Sequence, residues 1–201
     1  MSSNKKVLAL FDFDGTLTNK DTFIEFIKFV HGTRKMVWGL LLKSPWLIGM
    51  KLKRYPNWKA KQKVLTHFFG GLSSNELMKL GQQFCTSQLP ALLNKQALNK
   101  LDWHIKEKHT IYIISASASV WVAPWAQSRG LNLLATELAV ETSSEKITGK
   151  IDGKNCYGPE KVKRLRTLED LSKYNDIYAY GDSLGDNEML AIANHAFYRC
   201  F

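Results

Sequence analysis

Residues 7–13 read Val-Leu-Ala-Leu-Phe-Asp-Phe, an apolar run with almost no polar alternation. A strand with one wet face alternates apolar and polar residues. A run that is apolar at both parities fits a strand covered on both faces, as in the middle of a parallel sheet. That constrains the rest of the chain: helices must lie over both faces, and crossovers must join the strands. The sequence supplies the parts. Thr110 to Ser115, Leu133 to Val140, Ile177 to Gly181 and Ala196 to Phe201 read as further strands. Gln96 to Lys108, Ser119 to Arg129 with Gly130 just past its end, Pro159 to Leu171 and Asn187 to Ala193 read as helices. Lys146 to Asp152, with Gly149 and Gly153, reads as a short hairpin. The expected fold is α/β, a doubly wound parallel sheet with right-handed crossovers.

One long stretch breaks the alternation. Phe23 to Val30 has helical spacing, and residues 34–92 read as several helices with no strand between them. Ser44-Pro45 predicts a break, with Ser44 as N-cap and Pro45 at the first helical position. Ser73-Ser74-Asn75-Glu76 predicts a helix start before Leu77 and Leu80, and Pro90 an end. The expected organisation is a core of residues 1–20 and 93–201 with a helical cap inserted at 21–92. A chain of 201 residues is long enough for one well-cored domain with such an insertion.

In doubly wound sheets, ligands sit at the carboxyl ends of strands. Three apolar runs end there in reactive residues. Asp12-Phe13-Asp14-Gly15-Thr16 leaves the first run, Ser115 closes Ile111-Tyr112-Ile113-Ile114, and Gly181-Asp182-Ser183 with Asp186 follows the third. Lys161 stands at a helix start in Cys156-Tyr157-Gly158-Pro159-Glu160-Lys161. Singly, each has a plainer reading. Asp12 and Asp14 serve as turn caps, Asp182 as an N-cap, Asp186 as a partner of a helix dipole and Ser115 as a strand terminator. The plainer reading of Lys161 is a solvated face with Lys163 and Arg164, and Lys163 is the alternative for its role.

In this order the four pieces resemble the haloacid dehalogenase superfamily of aspartate-nucleophile hydrolases, and most closely its phosphoserine-phosphatase-like branch (subfamily IB). Asp12 to Thr16 matches the first motif, DxDGT, in full; Ser115 matches the second, Lys161 the third and Gly181 to Asp186 the fourth, GDSxxD. The resemblance implies a nucleophile at Asp12 and a general acid and base at Asp14. It implies phosphate contacts from Ser115, Lys161 and the backbone N–H of Ala116. The implied metal ligands are the Asp12 side chain, the Asp14 backbone carbonyl and the Asp182 side chain, with Asp186 supporting them. Asp14 also separates reaction classes. Dehalogenases of the superfamily lack this second Asp and the metal, so the resemblance implies phosphate chemistry rather than carbon–halogen hydrolysis.

Charge alone asks for a cation at such a site. At ~4 Å and an effective dielectric near ~20, one pair of like unit charges costs on the order of 4 kcal/mol. Several carboxylates and a phosphate dianion therefore need a counter-charge, and Mg²⁺ takes carboxylate, carbonyl and phosphate oxygens alike. The expected activity is a Mg²⁺-dependent phosphomonoester hydrolase working through an aspartyl-phosphate on Asp12. A module that binds anionic ligands without turnover is the alternative from another class.

The substrate is less legible. In the phosphoserine phosphatases a Glu after the first motif reads the substrate amine and a cap Arg reads the carboxylate. The nearest counterparts here are Asp21 or Glu25 and Arg54, and the family's Asn before the last Asp is Gly185. These departures weaken a phosphoserine assignment. From Phe26 to Asn75 the chain has no acid but ten Lys and Arg residues, equal to its whole formal excess of +10. Within this stretch Val37 to Met50 carries Trp38, Leu40, Leu41, Leu42, Trp46, Leu47 and Ile48 around Lys43 and Pro45. At this length it is too short to span a bilayer. It reads as cap core, as a dimer contact, or as an interfacial segment on anionic lipid. Expected partners are thus a phosphorylated small molecule or a lipid headgroup, with peripheral membrane contact through the basic cap left open. No nucleic acid is expected, since no nucleic-acid-binding motif accompanies the basic residues.

Three cysteines, Cys85, Cys156 and Cys200, have no metal-binding spacing and suggest a reduced compartment. Met1 to Lys6 leads into the first strand without an apolar leader. The expected location is the cytoplasm, with the inner membrane face as the variant that lipid contact would require.

Overall fold

The computed structural model describes residues 6–201; Met1 to Lys5, and the expectation about a leader that rests on them, lie outside the described residues. Six strands form one sheet: β1 Val7–Phe11, β2 Thr110–Ala118, β3 Asn132–Glu141, β4 Lys146–Asp152, β5 Asp176–Gly181 and β6 His195–Tyr198. Their order is β4-β3-β2-β1-β5-β6. All neighbours are parallel except β3 and β4.

β1 lies in the middle, as its composition demands. Leu8, Ala9, Leu10 and Phe11 are all fully buried. Ala9 and Phe11 face one core with residues of α5 (Lys95–Lys106) and α6 (Ser119–Ser128), including Leu101, Trp121 and Trp125. Leu8 and Leu10 face the other with Leu165 of α7 (Pro159–Leu168) and Met189 of α8 (Asn187–Ala191). Full burial of a large apolar side chain contributes ~1.5–3 kcal/mol, so a strand buried at both parities anchors both layers at once. From β1 the chain builds β2 and β3 to one side, then crosses to place β5 and β6 on the other. The carboxyl ends of β1 and β5 thus flank the point where the winding direction reverses, the usual place for a ligand crevice.

Between β1 and α5 come four helices: α1 Thr22–Lys51, α2 Asn57–Phe69, α3 Ser74–Ser87 and α4 Leu89–Leu92. They are moored to the far edge of the sheet by backbone bonds. Gly71 N–H donates to the Ile147 carbonyl, Ile147 N–H to Leu72 and Ser74 N–H to Glu145, each at 2.8 Å. α3 also lies so close to α6 that a Cβ at Gly81 would sit 1.9 Å from the Val120 carbonyl oxygen.

Several expectations are corrected. The break in the first inserted helix is at Gly32, with φ 77° and ψ 160°, and not at Ser44-Pro45. Only glycine adopts that conformation cheaply. Pro45 sits inside the helix at an exposed position, and the backbone there stays helical. Lys146 to Asp152 is one strand, and its hairpin partner is β3. β2 runs on to Ala118, α7 stops at Leu168, and β6 spans His195 to Tyr198. The five histidines show no grouping in sequence, yet the fold sets His104 edge-on to His109 with their Nδ1 atoms 2.7 Å apart. His104 Nε2 lies 3.0 Å from the Tyr180 hydroxyl.

Candidate active site

The winding reversal collects four of the sequence-derived residues into one network. Asp12 follows β1 directly, and its N–H extends the ladder to the Tyr180 carbonyl at 2.9 Å. Lys161, fully buried in the first turn of α7, places all three ammonium protons. It donates to Asp12 Oδ1 at 2.5 Å, Asp186 Oδ1 at 2.6 Å and the Ile114 carbonyl at 2.8 Å. Lys163, the alternative for this role, is exposed. Asp186 is fully buried and uses its second oxygen to accept from Ser183 Oγ at 2.8 Å and Ser183 N at 3.0 Å. Asp182 is held beside Asp12 by the other loop: Thr16 Oγ1 donates to its Oδ1 at 3.4 Å. Gly15, at φ +79°, makes that approach possible, because a Cβ there would lie 2.4 Å from Asp182 Oδ2.

Asp14 turns toward the inserted helices. Its Oδ1 accepts from Thr22 N and Thr22 Oγ1, both at 2.6 Å, and its Oδ2 accepts from Ser117 Oγ at 2.5 Å. Thr22 begins α1, whose N-cap is Asp21. The carboxylate of Asp14 therefore sits at a helix N-terminus, a favourable place for negative charge. Trp121 Nε1 donates to Thr22 Oγ1 at 3.2 Å and braces this contact from the core.

Ser115 is fully buried, with its Oγ accepting from Ser117 N at 3.0 Å. Ala116 and Ser117, rather than Ser115, line the adjoining cavity. The Ala116 carbonyl accepts from Lys61 Nζ of α2 at 2.5 Å. Thr22, Lys61 and Ser117 had not been singled out from sequence. Ser117 carried a signal, since in a strand it shares a face with Ser115 two residues earlier. Lys61 carried none, being one cation among ten. Of the proposed amine readers, Asp21 lines the cavity, while Glu25 is paired with Lys20 at 3.4 Å and Lys28 at 3.8 Å. Arg54 is exposed just after α1 and does not line it.

The electrostatics are those of a site short of positive charge. Burial pushes the Asp12 carboxyl up to about 8, against the pull of Lys161, with Asp186 and Asp14 adding repulsion. Burial and Asp186 raise Asp182 as well. Burial alone would lower the Lys161 ammonium, but Asp12 and Asp186 outweigh it and raise it. One lysine thus faces several carboxylates. One oxygen from each of Asp12, Asp182 and Asp186 lies within 4.8 Å of the others. The donors are all hard oxygens, which fit a divalent cation such as Mg²⁺. Asp186 already has both oxygens engaged, so it suits a supporting role, with Asp12 and Asp182 as the carboxylates available to a cation.

A family model described as haloacid dehalogenase-like hydrolase matches residues 9–191, nearly the whole chain. The chain belongs to the haloacid dehalogenase-like hydrolases. Protein CicA of Caulobacter vibrioides is 35% identical over 98% of this chain and 88% of its own length. Among solved structures, a protein of unknown function from Bordetella pertussis Tohama I superposes with a TM-score of 0.80 at 22% identity, over 94% of this chain and 87% of that one. A phosphoserine phosphatase, solved as a phospho-aspartyl intermediate analogue, superposes with a TM-score of 0.67 at 20% identity, over 94% and 84%. At these identities the structural likeness speaks to the fold, which is the α/β fold of the haloacid dehalogenase-like hydrolases with a mostly parallel six-stranded sheet. Among the described residues no helix is long and apolar enough to cross a membrane.

Proposed function

We propose that this hydrolase is a Mg²⁺-dependent phosphomonoester phosphatase that works through an aspartyl-phosphate on Asp12, with residues 21–92 acting as a cap over a core of 1–20 and 93–201. The observation that carries the reading is the Lys161 bridge. It ties Asp12 to Asp186 in a buried network beside Asp182, and it holds Asp12 by Oδ1. The other oxygen, Oδ2, is left to attack.

In this mechanism Asp12 Oδ2 forms a bond to phosphorus as the bond to the ester oxygen breaks. Asp14 gives its proton to the departing alkoxide. Water then attacks the aspartyl-phosphate, passes a proton to Asp14, and the bond from phosphorus to Asp12 breaks. Asp14 is placed for this by Thr22 and Ser117, which hold it at the edge of the same cavity that Asp12 lines. Lys161 neutralises charge on the transferring group, and the N–H groups near Ala116 and Gly15 donate to it, with Ser115 fixing the turn of the strand through Ser117. A Mg²⁺ ion held by Asp12, the Asp14 carbonyl and Asp182, with Asp186 in support, would offset the repulsion between these carboxylates and the phosphate.

Phosphate release from p-nitrophenyl phosphate tests this. Turnover is expected with Mg²⁺, to vanish with EDTA, and to fall at least ~1000-fold in Asp12→Asn. An Asp12→Asn protein with full activity would overturn the reading, and a parent protein that turns over no phosphate ester would leave a ligand-binding module in its place.

One observation favours a lipid-borne phosphate as the ester. Trp38, Leu41, Leu42, Ile48 and Leu52 are each more than half exposed on one side of α1 and the turn after it, among lysines with no acid nearby. Such a face suits an anionic lipid surface. Co-sedimentation with phosphatidylglycerol vesicles, lost in Trp38→Glu, is the expected result; a concentration-dependent dimer without vesicle binding would assign the face to a second copy instead.

A further inference from the structure

The cavity beside Asp12 holds about 600 Å³, within the range of sites for small organic ligands. Its lining is of two kinds. Asp12, Asp14, Lys161 and Asp182 line it, and so do Phe23, Ile24, Leu40, Leu47, Met50 and Val64, with Asn19, Asn57, Asn155 and Tyr157 as further polar lining. Leu40, Leu47 and Met50 share the inner face of α1, spaced seven and three residues apart, while Val37, Trp38, Leu41 and Ile48 of the same helix point outward and are exposed. α1 is therefore apolar on two sides, and its inner side lines the same cavity as Asp12.

A reader of a zwitterionic alcohol would need paired charges there. Beyond the residues assigned above to the reaction, the Lys, Arg, Asp and Glu side chains lining the cavity are Lys20, Asp21 and Lys61. All three are already engaged within the protein: Lys20 pairs with Glu25 at 3.4 Å. Asp21 caps α1 by accepting from Phe23 N and Ile24 N. Lys61 donates to the Ala116 carbonyl, and burial lowers its ammonium, with Asp14 and Asp21 opposing that shift. What the α1 wall of the cavity offers a substrate is apolar area.

We infer that the ester hydrolysed here carries an apolar group, an alkyl or acyl chain or an equivalent hydrocarbon body, which packs against Leu40, Leu47 and Met50 while its phosphate lies at Asp12. This rests on the phosphatase reading and names its substrate class. The same chemistry is found in a soluble hydrophobic phosphate and in a lipid phosphate.

The test is a series of n-alkyl phosphates, from ethyl to octyl, kept below micelle-forming concentration, alongside p-nitrophenyl phosphate and phosphoserine. Each methylene moved from water into an apolar pocket is worth a factor of roughly three or four, so kcat/KM is expected to climb by about that much per methylene. The gain is expected mainly in KM, since the chain binds ground state and transition state alike. In Leu47→Asn and Met50→Gln the ratio of octyl to ethyl phosphate turnover is expected to drop at least tenfold; a ratio is insensitive to the fraction of protein that folds. Phosphatidic acid in phosphatidylglycerol vesicles separates the sources. Turnover there above that of octyl phosphate assigns a lipid, and turnover of octyl phosphate alone assigns a soluble ester; both support the inference. A flat series, or phosphoserine preferred over octyl phosphate, overturns it while p-nitrophenyl phosphate turnover keeps the phosphatase reading alive. No release from any ester overturns both.

Discussion

The carboxyl edge of the sheet and the inserted helices use charge in opposite ways. At the sheet edge Asp12, Asp186 and Lys161 are buried and bonded to one another at 2.5 and 2.6 Å. In the insertion ten cations lie along fifty residues without an acid, and among the described ion pairs only Lys28 of these has a partner, Glu25. Buried charges must be paired to exist at all, and pairing fixes their geometry. Apart from Lys61, which donates to Ala116, these cations face solvent at least in part; such charges need no partner and act through a shared field that salt screens. The first arrangement suits a reaction that tolerates little displacement, and the second suits selection of what approaches it.

If that contrast holds, the largest effect on the folded state comes from Lys161. Lys161→Met leaves Asp12 and Asp186 buried with nothing between them. Removing one partner of a buried pair costs about 3–5 kcal/mol, and chemical denaturation is expected to show a loss in that range near neutral pH. The variant also has a sign to check. An acid whose folded pKa is raised binds more protons folded than unfolded, so stability falls as pH rises between the two values. For Asp12 that window runs from about 3.8 to about 8 with the lysine present, and it widens upward without it. Lys161→Met should therefore recover part of its stability toward pH 5. A uniform loss at all pH values would mean that the lysine matters for packing and not for charge.

The same contrast explains what could be read from sequence. Asp12, Lys161, Asp182 and Asp186 were legible because each stands at a fixed place on an element whose type is set locally: the end of an apolar run or the first turn of a helix. β1 at the sheet centre followed from its two apolar parities. Within the insertion, local signals misled. Ser44-Pro45 has the form of a helix start, yet tertiary packing carried the helix through it, and the break went to Gly32, where the chain needed a positive φ. Thr22 and Lys61 reach the site only because helices separated in sequence were folded over it. The pairing of His104 with His109, five residues on, depends on a tight turn between α5 and β2 that helical periodicity does not show.

That histidine pair gives a smaller, opposite effect. Burial, with His109 and Lys100 adding to it, lowers His104 to about 3. A base whose folded pKa is depressed stays neutral in the fold while the unfolded chain takes up a proton. Stability then falls as pH drops from about 6.5 toward 3, by at most ~1.4 kcal/mol per pH unit. His104→Gln is expected to be less stable at pH 7, having lost its bonds to Tyr180 and His109, but to lose less on acidification to pH 5 than the parent does. Thermal denaturation at the two pH values measures this. Equal acid losses in parent and variant would place the sensitivity elsewhere.

The smallest effect belongs to the outer face of α1. Trp38 is 69% exposed and Leu42 61%, so replacing either removes little buried area. Trp38→Ser and Leu42→Ser are expected to leave the unfolding free energy within about 0.5 kcal/mol of the parent, as for ordinary surface positions. Leu47, on the inner side of the same helix, is only partly exposed and packs against the main core, so Leu47→Ser is expected to cost more than either. Paired denaturation curves decide the matter. A large loss in Trp38→Ser would show that the outer face is covered in solution, and the exposed half of the contrast would then belong to an assembly and not to the single chain.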